Sequence, residues 1–318
     1  MAAVVEPVGA PPAARAAAGL PFLPKRTLGR IVLPLAGLFF LLMIWVPVLE
    51  TFYLSLFRKE PGEFYFIGLT NYFRLFGDEL WRKSFQVTIT FALMEVPLAV
   101  ASGLFVALML NTIKNTGVRA VFTASFFFAY VVPLVAVALV WRFMYLPGRA
   151  GLFNTILGAF GLEPIRWLNS EEWALRSIVI LRVWKQTGYM ALLFLAGLQT
   201  IPAVLYEAAA VDGASAWHRF RHITVPLLIP TLAFVVIIAT LGAFLTFTEI
   251  YVMTESDGVG TSKGGPNYAT HVMAYFIYSQ TIRYQHQGFG SAAAVIFFIV
   301  TVGISYVQFR FLRTRHEY

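Results

Sequence analysis

Four ionisable side chains lie within long apolar stretches of this sequence: Glu95, Arg182, Lys185 and Glu249. A charge inside the hydrocarbon of a membrane costs roughly 3 kcal/mol or more, so such residues are candidates for function. Arg182, Lys185 and Glu249 could pair as a salt-bridged outer gate, Glu95 could contact a substrate, and Glu95 or Glu249 could carry a proton or an ion. The structural alternatives are that Arg182 and Lys185 extend to the lipid headgroups, and that Glu95 makes a hydrogen bond inside a helix bundle.

The sequence contains no set of residues that matches a known catalytic arrangement. A GxxxxGK[ST] segment is absent, so we do not expect this chain to bind or hydrolyse ATP in the manner of a P-loop protein. There is no cysteine, which excludes a disulfide, a thiolate nucleophile and a Cys-ligated metal. His218 and His222 have the i,i+4 spacing of a helix-borne metal site, but no carboxylate or cysteine completes it. We therefore predict no catalytic residue, no metal site and no cofactor on this chain.

The composition is that of a membrane protein. Of 318 residues, 58% are hydrophobic and only 13% are charged. The formal net charge is +8, but the basic residues are scattered over the ends of the hydrophobic segments. Anionic lipid and membrane orientation explain this distribution better than nucleic acid does.

Six apolar stretches are each close to the roughly 20 residues that a helix needs to cross the hydrocarbon core. Residues 1–29 are rich in Ala and Pro and predict a disordered tail, which leaves residues 30–318 as the membrane domain. Pro133 predicts a kink in the third apolar stretch. We predict an all-α membrane protein with six transmembrane helices at about residues 31–57, 84–111, 119–146, 175–198, 226–254 and 288–312.

The polar segment 202–226 between the fourth and fifth helices has the pattern of a short helix-turn-helix. Pro202 suits a first helical turn, and the alanines after Glu207 favour a helix. Gly213 allows a turn with positive φ. Trp217 and Phe220 are three residues apart and share a helical face, which we expect to lie on the membrane bundle. These features fit either an interfacial hairpin or a surface that receives another protein.

The spacing within this segment resembles the EAA signature of ABC importer permeases. Glu207-Ala208-Ala209 is followed by Gly213, then by Ile223 and Val225-Pro226. The segments 68–72 (GLTNY), 151–154 (GLFN), 184–188 and 264–266 (GGP) support a resemblance to the permeases of maltose-type and glycerol-3-phosphate importers. The chain departs from the pattern in the residue before Pro226 and in the loop 255–265, which is longer than that of the family.

The resemblance implies a type I ABC importer permease fold with a cytoplasmic EAA helix-turn-helix loop. It implies three kinds of partner: a dimer of separate ABC ATPase subunits that bind ATP and Mg, a second homologous permease and an extracytoplasmic solute-binding protein. Membrane lipid is a fourth partner, expected from the composition. The location would be the plasma (inner) membrane of a bacterium or archaeon. Lys and Arg counts decide the orientation weakly, but a cytoplasmic loop places both termini in the cytoplasm.

The resemblance also implies roles for individual residues. ATPase docking would involve Glu207, Ala208, Ala209, Asp212, Gly213, Ile223 and Pro226. The path of a di- or oligosaccharide, or of a related polyol or glycerol phosphate, would involve Trp184, Lys185, Tyr189, Gly242, Thr246 and Glu249. An aromatic ring with a few polar groups suits a sugar, although the same residues could pack the bundle. A gradient-driven transporter that uses Glu95 or Glu249 and a membrane-embedded enzyme are the alternatives.

Overall fold

The computed structural model describes residues 25–60, 63–254 and 264–313, which are predominantly helical. The chain divides into two compact units, Met1–Tyr53 and Leu54–Tyr318. Helix α1 (Lys25–Phe40) continues through a π-helical turn (Leu41–Trp45) into α2 (Val46–Leu54), which ends at the boundary between the two units. The apolar part of this helix, Val32–Leu54, is long enough to span a membrane. The helix begins at Lys25, so the last residues of the predicted tail are helical.

The second unit contains a short hairpin and twelve α-helices within the described residues. The strands β1 (Phe57–Glu60) and β2 (Glu63–Phe66) pair antiparallel. The helices are α3 (Thr70–Gly77), α4 (Glu79–Asn111), α5 (Thr116–Val131), α6 (Leu134–Met144), α7 (Leu152–Ala159), α8 (Glu171–Gln199), α9 (Ala203–Val211), α10 (Ala216–Arg219), α11 (Val225–Phe244), α12 (Thr248–Thr254), α13 (Met273–Tyr278) and α14 (Gln287–Arg313).

Capping side chains fix where two of the long helices begin. The carboxylate of Asp78 accepts a hydrogen bond from the backbone N–H of Trp81 at the start of α4, at 2.7 Å. Asn115 Oδ1 accepts from the backbone N–H groups of Gly117 and Val118 at the start of α5. Each cap satisfies helical N–H groups that would otherwise lack a partner. The turn between α4 and α5 consists only of residues 112–115.

The prediction of an all-α membrane protein is confirmed, but two predicted spans differ from the structure. The third is not one kinked helix: α5 and α6 meet at 89° across Val132 and Pro133. The fifth begins earlier and ends earlier than predicted, because residues 216–244 are continuously helical and the helix then stops before α12. The apolar run alone did not show that break.

Helix α8 is the centre of the second unit and packs along α4, α5 and α11. Two glycines allow the closest approaches. A methyl group on Gly188 would collide with the backbone of Phe126 in α5, and one on Gly103 in α4 would collide with Met190. Close backbone contact through small residues is the usual way in which membrane helices pack. Two clusters of buried apolar residues surround α8, one toward α6 and α12 and the other toward α9 and α11.

The loop between α6 and α8 is organised by one buried amide. Asn154 is 2% exposed. Its Nδ2 donates to the carbonyl oxygens of Leu146 and Ile165, while its Oδ1 accepts from the N–H of Ile165 and from Nε1 of Trp167. The amide therefore joins both ends of the loop to α7 with all of its hydrogen-bonding capacity used.

The segment before α13 is attached to α4. His271 Nδ1 lies 2.8 Å from Ser84 Oγ, and the N–H of Met273 donates to Thr88 Oγ1. Burial lowers the pKa of His271 to about 4, so its ring is neutral at pH 7. Gly264 has φ +89° and lies against the ring of His271, where a side chain would clash. The preceding residues 255–263, which include most of the loop predicted to be long, lie outside the described residues.

We predict that Asn154→Asp destabilises the protein although it conserves shape. The carboxylate cannot donate to the carbonyls of Leu146 and Ile165, and an unsatisfied buried group costs about 1–3 kcal/mol. The melting temperature in mild detergent should fall, and protease should cut within residues 145–170. The exposed Asn169→Asp is the control. Equal melting temperatures for the two variants would show that Asn154 does not hold this loop.

Candidate functional site

The central loop between α8 and α11 forms a tight helical hairpin. Helix α9 ends in a Schellman motif, in which the N–H of Ala214 donates to the carbonyl of Ala209 and the N–H of Gly213 donates to that of Ala210. Gly213 has φ +75°. Glycine is favoured there because a Cβ atom would strain the backbone, although space around it is open. The sequence placed this turn at the correct residue.

The returning arm of the loop is continuous with the membrane-spanning helix α11. Ser215 caps α10, with its Oγ accepting from the N–H of His218. The chain then passes through a π-helical turn, Phe220–Thr224, directly into α11. Tyr206 OH and Thr224 Oγ1 lie 2.9 Å apart and join the two arms, and Ile223 packs on the adjacent core cluster. The returning arm and α11 therefore form one continuous helix.

The exposed surface of the loop is mixed apolar and acidic. Glu207, Ala208, Asp212 and Gly213 are exposed, and Ala209 is half-buried. Exposed apolar side chains accompany them: Val204 (65%), Val211 (89%) and Trp217 (67%). The expectation that Trp217 packs on the bundle is wrong, because it contacts Phe220 but stays exposed. Apolar groups grouped with polar ones on a protruding element are typical of a protein-binding surface.

The two histidines of the loop do not form a metal site within the described residues. The rings of His218 and His222 stack at 4.0 Å, and His222 Nδ1 lies 3.1 Å from the carbonyl oxygen of His218. No group of three His, Cys, Asp or Glu side chains comes together in the part of the chain that the structure describes. The two stacked rings therefore contact each other within the returning arm of the loop.

A second set of functional groups is buried in the helix bundle around Arg182. Its Nη1 lies 2.7 Å from Glu249 Oε1, and its Nη2 donates to the carbonyl oxygen of Gly242 at 3.0 Å. The side chain of Arg182 is 11% exposed and that of Glu249 is 1% exposed. Arg182 Nε also lies 3.7 Å from Glu95 Oε1. This arginine therefore joins α8 to α4, α11 and α12.

The carboxyl group of Glu95 is fully buried and accepts one hydrogen bond from the described residues. Gln186 Nε2 donates to its Oε1 at 3.0 Å, whereas Oε2 has no hydrogen-bond partner among the described residues. Thr246 Oγ1 is likewise buried without such a partner. The structural alternative for Glu95, a hydrogen bond inside the bundle, is what the structure shows. We call Glu95, Arg182, Gln186 and Glu249 the buried polar cluster.

Lys185 is buried in the bundle, where it caps the broken end of α5. Its Nζ donates to the carbonyl oxygens of Ala129 (3.2 Å), Tyr130 (2.9 Å) and Val132 (2.6 Å). Helix α5 ends there because Pro133 has no N–H to continue it. These carbonyls would otherwise be unsatisfied in an apolar environment, so the lysine makes the 89° break tolerable.

The other predicted path residues are dispersed. Trp184 is 46% exposed and lies beside Trp141, while Tyr189 stacks on Tyr130 at 4.5 Å. Gly242 contributes its carbonyl to Arg182. Sequence reasoning missed Gln186, although its i,i+4 spacing from Arg182 places both on one face of α8. The i,i+4 pair Lys185 and Tyr189 points to a different face, toward α5.

A family model described as "Binding-protein-dependent transport system inner membrane component" matches residues 99–316. The trehalose/maltose transport system permease protein MalF of Thermococcus litoralis is 38% identical over 290 residues, which cover 90% of this chain and 94% of that protein. The sulfoquinovosyl glycerol transport system permease protein SmoG of Agrobacterium fabrum is 35% identical, with 91% and 92% covered.

A solved structure shares the fold. A chain of a bacterial ABC transporter involved in the import of the acidic polysaccharide alginate superposes with a TM-score of 0.77, at 23% identity. The match covers 92% of this chain and 99% of that one. Together with the family match, this superposition confirms the predicted fold of an ABC importer permease.

We predict that Arg182→Met lowers the free energy of unfolding by about 3 kcal/mol or more, because it leaves two buried carboxylates without a counter-charge. Arg182→Met/Glu249→Met should recover much of this loss, since the uncompensated charge of Glu249 is gone too. The measurement is an unfolding titration of the three proteins in detergent.

The exposed pair Arg176 and Glu172, on the same helix at 2.6 Å, provides the control. Its side chains are 46% and 64% exposed, so Arg176→Met should change stability by no more than about 1 kcal/mol. A double variant at Arg182 and Glu249 as unstable as Arg182→Met would contradict a direct ion pair.

Proposed function

We propose a transport function for this chain, which belongs to the family of binding-protein-dependent transport system inner membrane components. In this proposal it is the permease subunit of an ABC importer for a sugar or a related polyol or glycerol phosphate. The relatives that support the sugar class are named for trehalose and maltose, sulfoquinovosyl glycerol, lactose and sn-glycerol-3-phosphate. They match over most of their own length, so the comparison concerns whole permease chains.

The observation that carries the coupling mechanism is the geometry of the central loop. Glu207, Asp212 and Gly213 lie exposed at its tip next to the exposed Val211, and its returning arm continues into α11. We propose that a separate ATPase subunit docks here on the cytoplasmic side, with Ala208 and Ala209 allowing close approach. Ile223, which packs on the adjacent core cluster, and Pro226, in the first turn of α11, would anchor the base of the loop. In this proposal, ATP and Mg bind the ATPase subunit and not this chain. A cytoplasmic loop also places both termini of this chain in the cytoplasm.

The loop must contact the ATPase differently in the inward- and outward-facing states, because equal contacts shift no equilibrium. The continuous helix from α10 through α11 offers a route for this difference. It carries Gly242, whose carbonyl oxygen accepts from Arg182 in the buried polar cluster. One helix thus connects the proposed docking loop with the buried polar cluster.

The substrate path in this proposal runs past the buried polar cluster. Trp184 and Tyr189 offer aromatic faces, while Thr246 and Glu249 offer oxygen atoms that a sugar hydroxyl can bond. Lys185 has a supporting role, since its ammonium group already donates to three carbonyls. A second permease would complete the path, and an extracytoplasmic binding protein would deliver the solute.

We predict that Gly213→Asp and Glu207→Lys leave the protein in the membrane but abolish ATP-driven uptake and co-purification of the ATPase. Gly161 supplies a matched control, because it also has positive φ (+73°) and open space around it. Gly161→Asp and Glu163→Lys should introduce the same strain and charge change without loss of ATPase.

Uptake should continue when the proton gradient is collapsed while ATP remains. Immediate loss of uptake under that condition would contradict the ABC mechanism and favour the gradient-driven alternative. Retention of the ATPase by both loop variants would contradict the docking role of this loop.

A further inference from the structure

A basic pocket lies far along the sequence from both sites already described. It has a volume of about 420 Å³ and is formed by β1, α3, the turn before α14 and the first residues of α14. All of these elements belong to the second compact unit. Neither the proposed docking loop nor the buried polar cluster contributes a residue to its lining.

The lining of the pocket is strongly positive. Arg58, Lys59 and Arg74 all contribute to it, together with the imidazole of His286 and the polar side chains of Tyr284 and Gln285. Among the described residues that line the pocket, none is an Asp or a Glu. Three cations around one cavity create a positive potential that attracts an anion, and Arg and Lys side chains are common ligands of phosphate groups.

Buried contacts hold the walls of the pocket in place. Asn71 is 2% exposed, and its Nδ2 donates to the carbonyl oxygens of Ser55 and Phe57 at 2.9 Å each, which fixes α3 to the chain before the hairpin. Gly288 brings α14 so close to Phe57 that a methyl group would collide with the Phe57 carbonyl oxygen. The pocket is therefore preformed between two fixed elements.

The positions of two of the cations are also defined. Lys59 Nζ donates to Gln287 Oε1 at 3.2 Å, which holds it at the start of α14. The guanidinium of Arg74 lies over the ring of Phe289, 5.5 Å from its centroid. An anion that enters the pocket meets charges already ordered, so little side-chain entropy is lost on binding.

Exposed aromatic side chains are concentrated in these elements and in β2, the strand paired with β1. Phe66 (68%) lies on β2, Phe73 (74%) and Phe76 (56%) lie on α3, and Tyr284 (49%) lies at the pocket itself. Aromatic residues that border an apolar span are typical of the headgroup level of a membrane. The hairpin follows directly after the apolar helix α2, and α14 is itself a candidate membrane span. A ligand here has both a charge and an apolar part to contact.

We propose that this pocket binds the phosphate group of an anionic phospholipid, with the acyl chains lying along the exposed aromatic side chains. A free phosphate or glycerol phosphate would satisfy the cations but would leave the aromatic surface unused. Phosphate bound between fixed arginine and lysine side chains would tie the hairpin to the start of α14.

The test uses the full chain, with the partners that co-purify, in mild detergent after removal of native lipid. Native mass spectrometry measures binding of phosphatidylglycerol, with phosphatidylcholine and sn-glycerol phosphate as the other ligands. Lys59→Gln/Arg74→Gln should weaken phosphatidylglycerol binding by about 25-fold, because each cation removed should weaken it by about fivefold. Both side chains are exposed, so these substitutions spare the core.

Arg82→Gln/Lys83→Gln is the matched control, because it removes two exposed cations at the start of α4 that do not line this pocket. Wild type and control should retain phosphatidylglycerol and discriminate against phosphatidylcholine. Equal binding of the two lipids, or equal binding by the pocket variant and the control, would overturn the proposal. Competition by sn-glycerol phosphate at the same concentration as the lipid would overturn the lipid assignment.

Discussion

The need to pair a charge buried in a membrane bundle is the constraint on which the second unit depends. Arg182 meets it by binding the carboxylate of Glu249 at 2.7 Å and the carbonyl of Gly242 at 3.0 Å, with Glu95 nearby. Breaking such a contact from one side leaves an uncompensated charge, whereas keeping it fixes several helices at once. The position of α8 among its neighbours is therefore set by polar contacts as well as by apolar packing.

Helix α8 connects this constraint to the remaining functional features. One turn beyond Arg182, Lys185 supplies the donors that allow α5 to stop at Pro133. From Arg182 to the end of α8 at Gln199 is about 25 Å of continuous helix, at about 1.5 Å for each residue. The central loop begins directly after that end. Both α8 and α11 thus run from the buried polar cluster to the two ends of the loop.

Much of the fold could be predicted because span length and turn chemistry are local properties. The ends of α4 and α8 follow from apolar runs, and the turn at Gly213 follows from a residue that tolerates positive φ. The break at Pro133 could not be predicted, because a proline alone predicts a kink and the donors that permit 89° come from another helix. The hydrogen bond from Gln186 to Glu95 could not be predicted either, because it joins two helices that are far apart in sequence. The prediction that Trp217 packs on the bundle was wrong because helical periodicity shows which residues share a face, but not what that face packs against.

The docking of an ATPase on the central loop is most directly tested by site-specific photocrosslinking, which the absence of cysteine from this chain makes simple. Val211→Cys, at a position 89% exposed on the loop, carries a benzophenone maleimide, and Leu162→Cys, at a position 57% exposed outside the loop, carries the same label as control. We predict a crosslink from position 211 to a co-purifying ATPase subunit and none from position 162. No crosslink from position 211 in a complex that contains the ATPase, or equal crosslinks from both positions, would contradict the account.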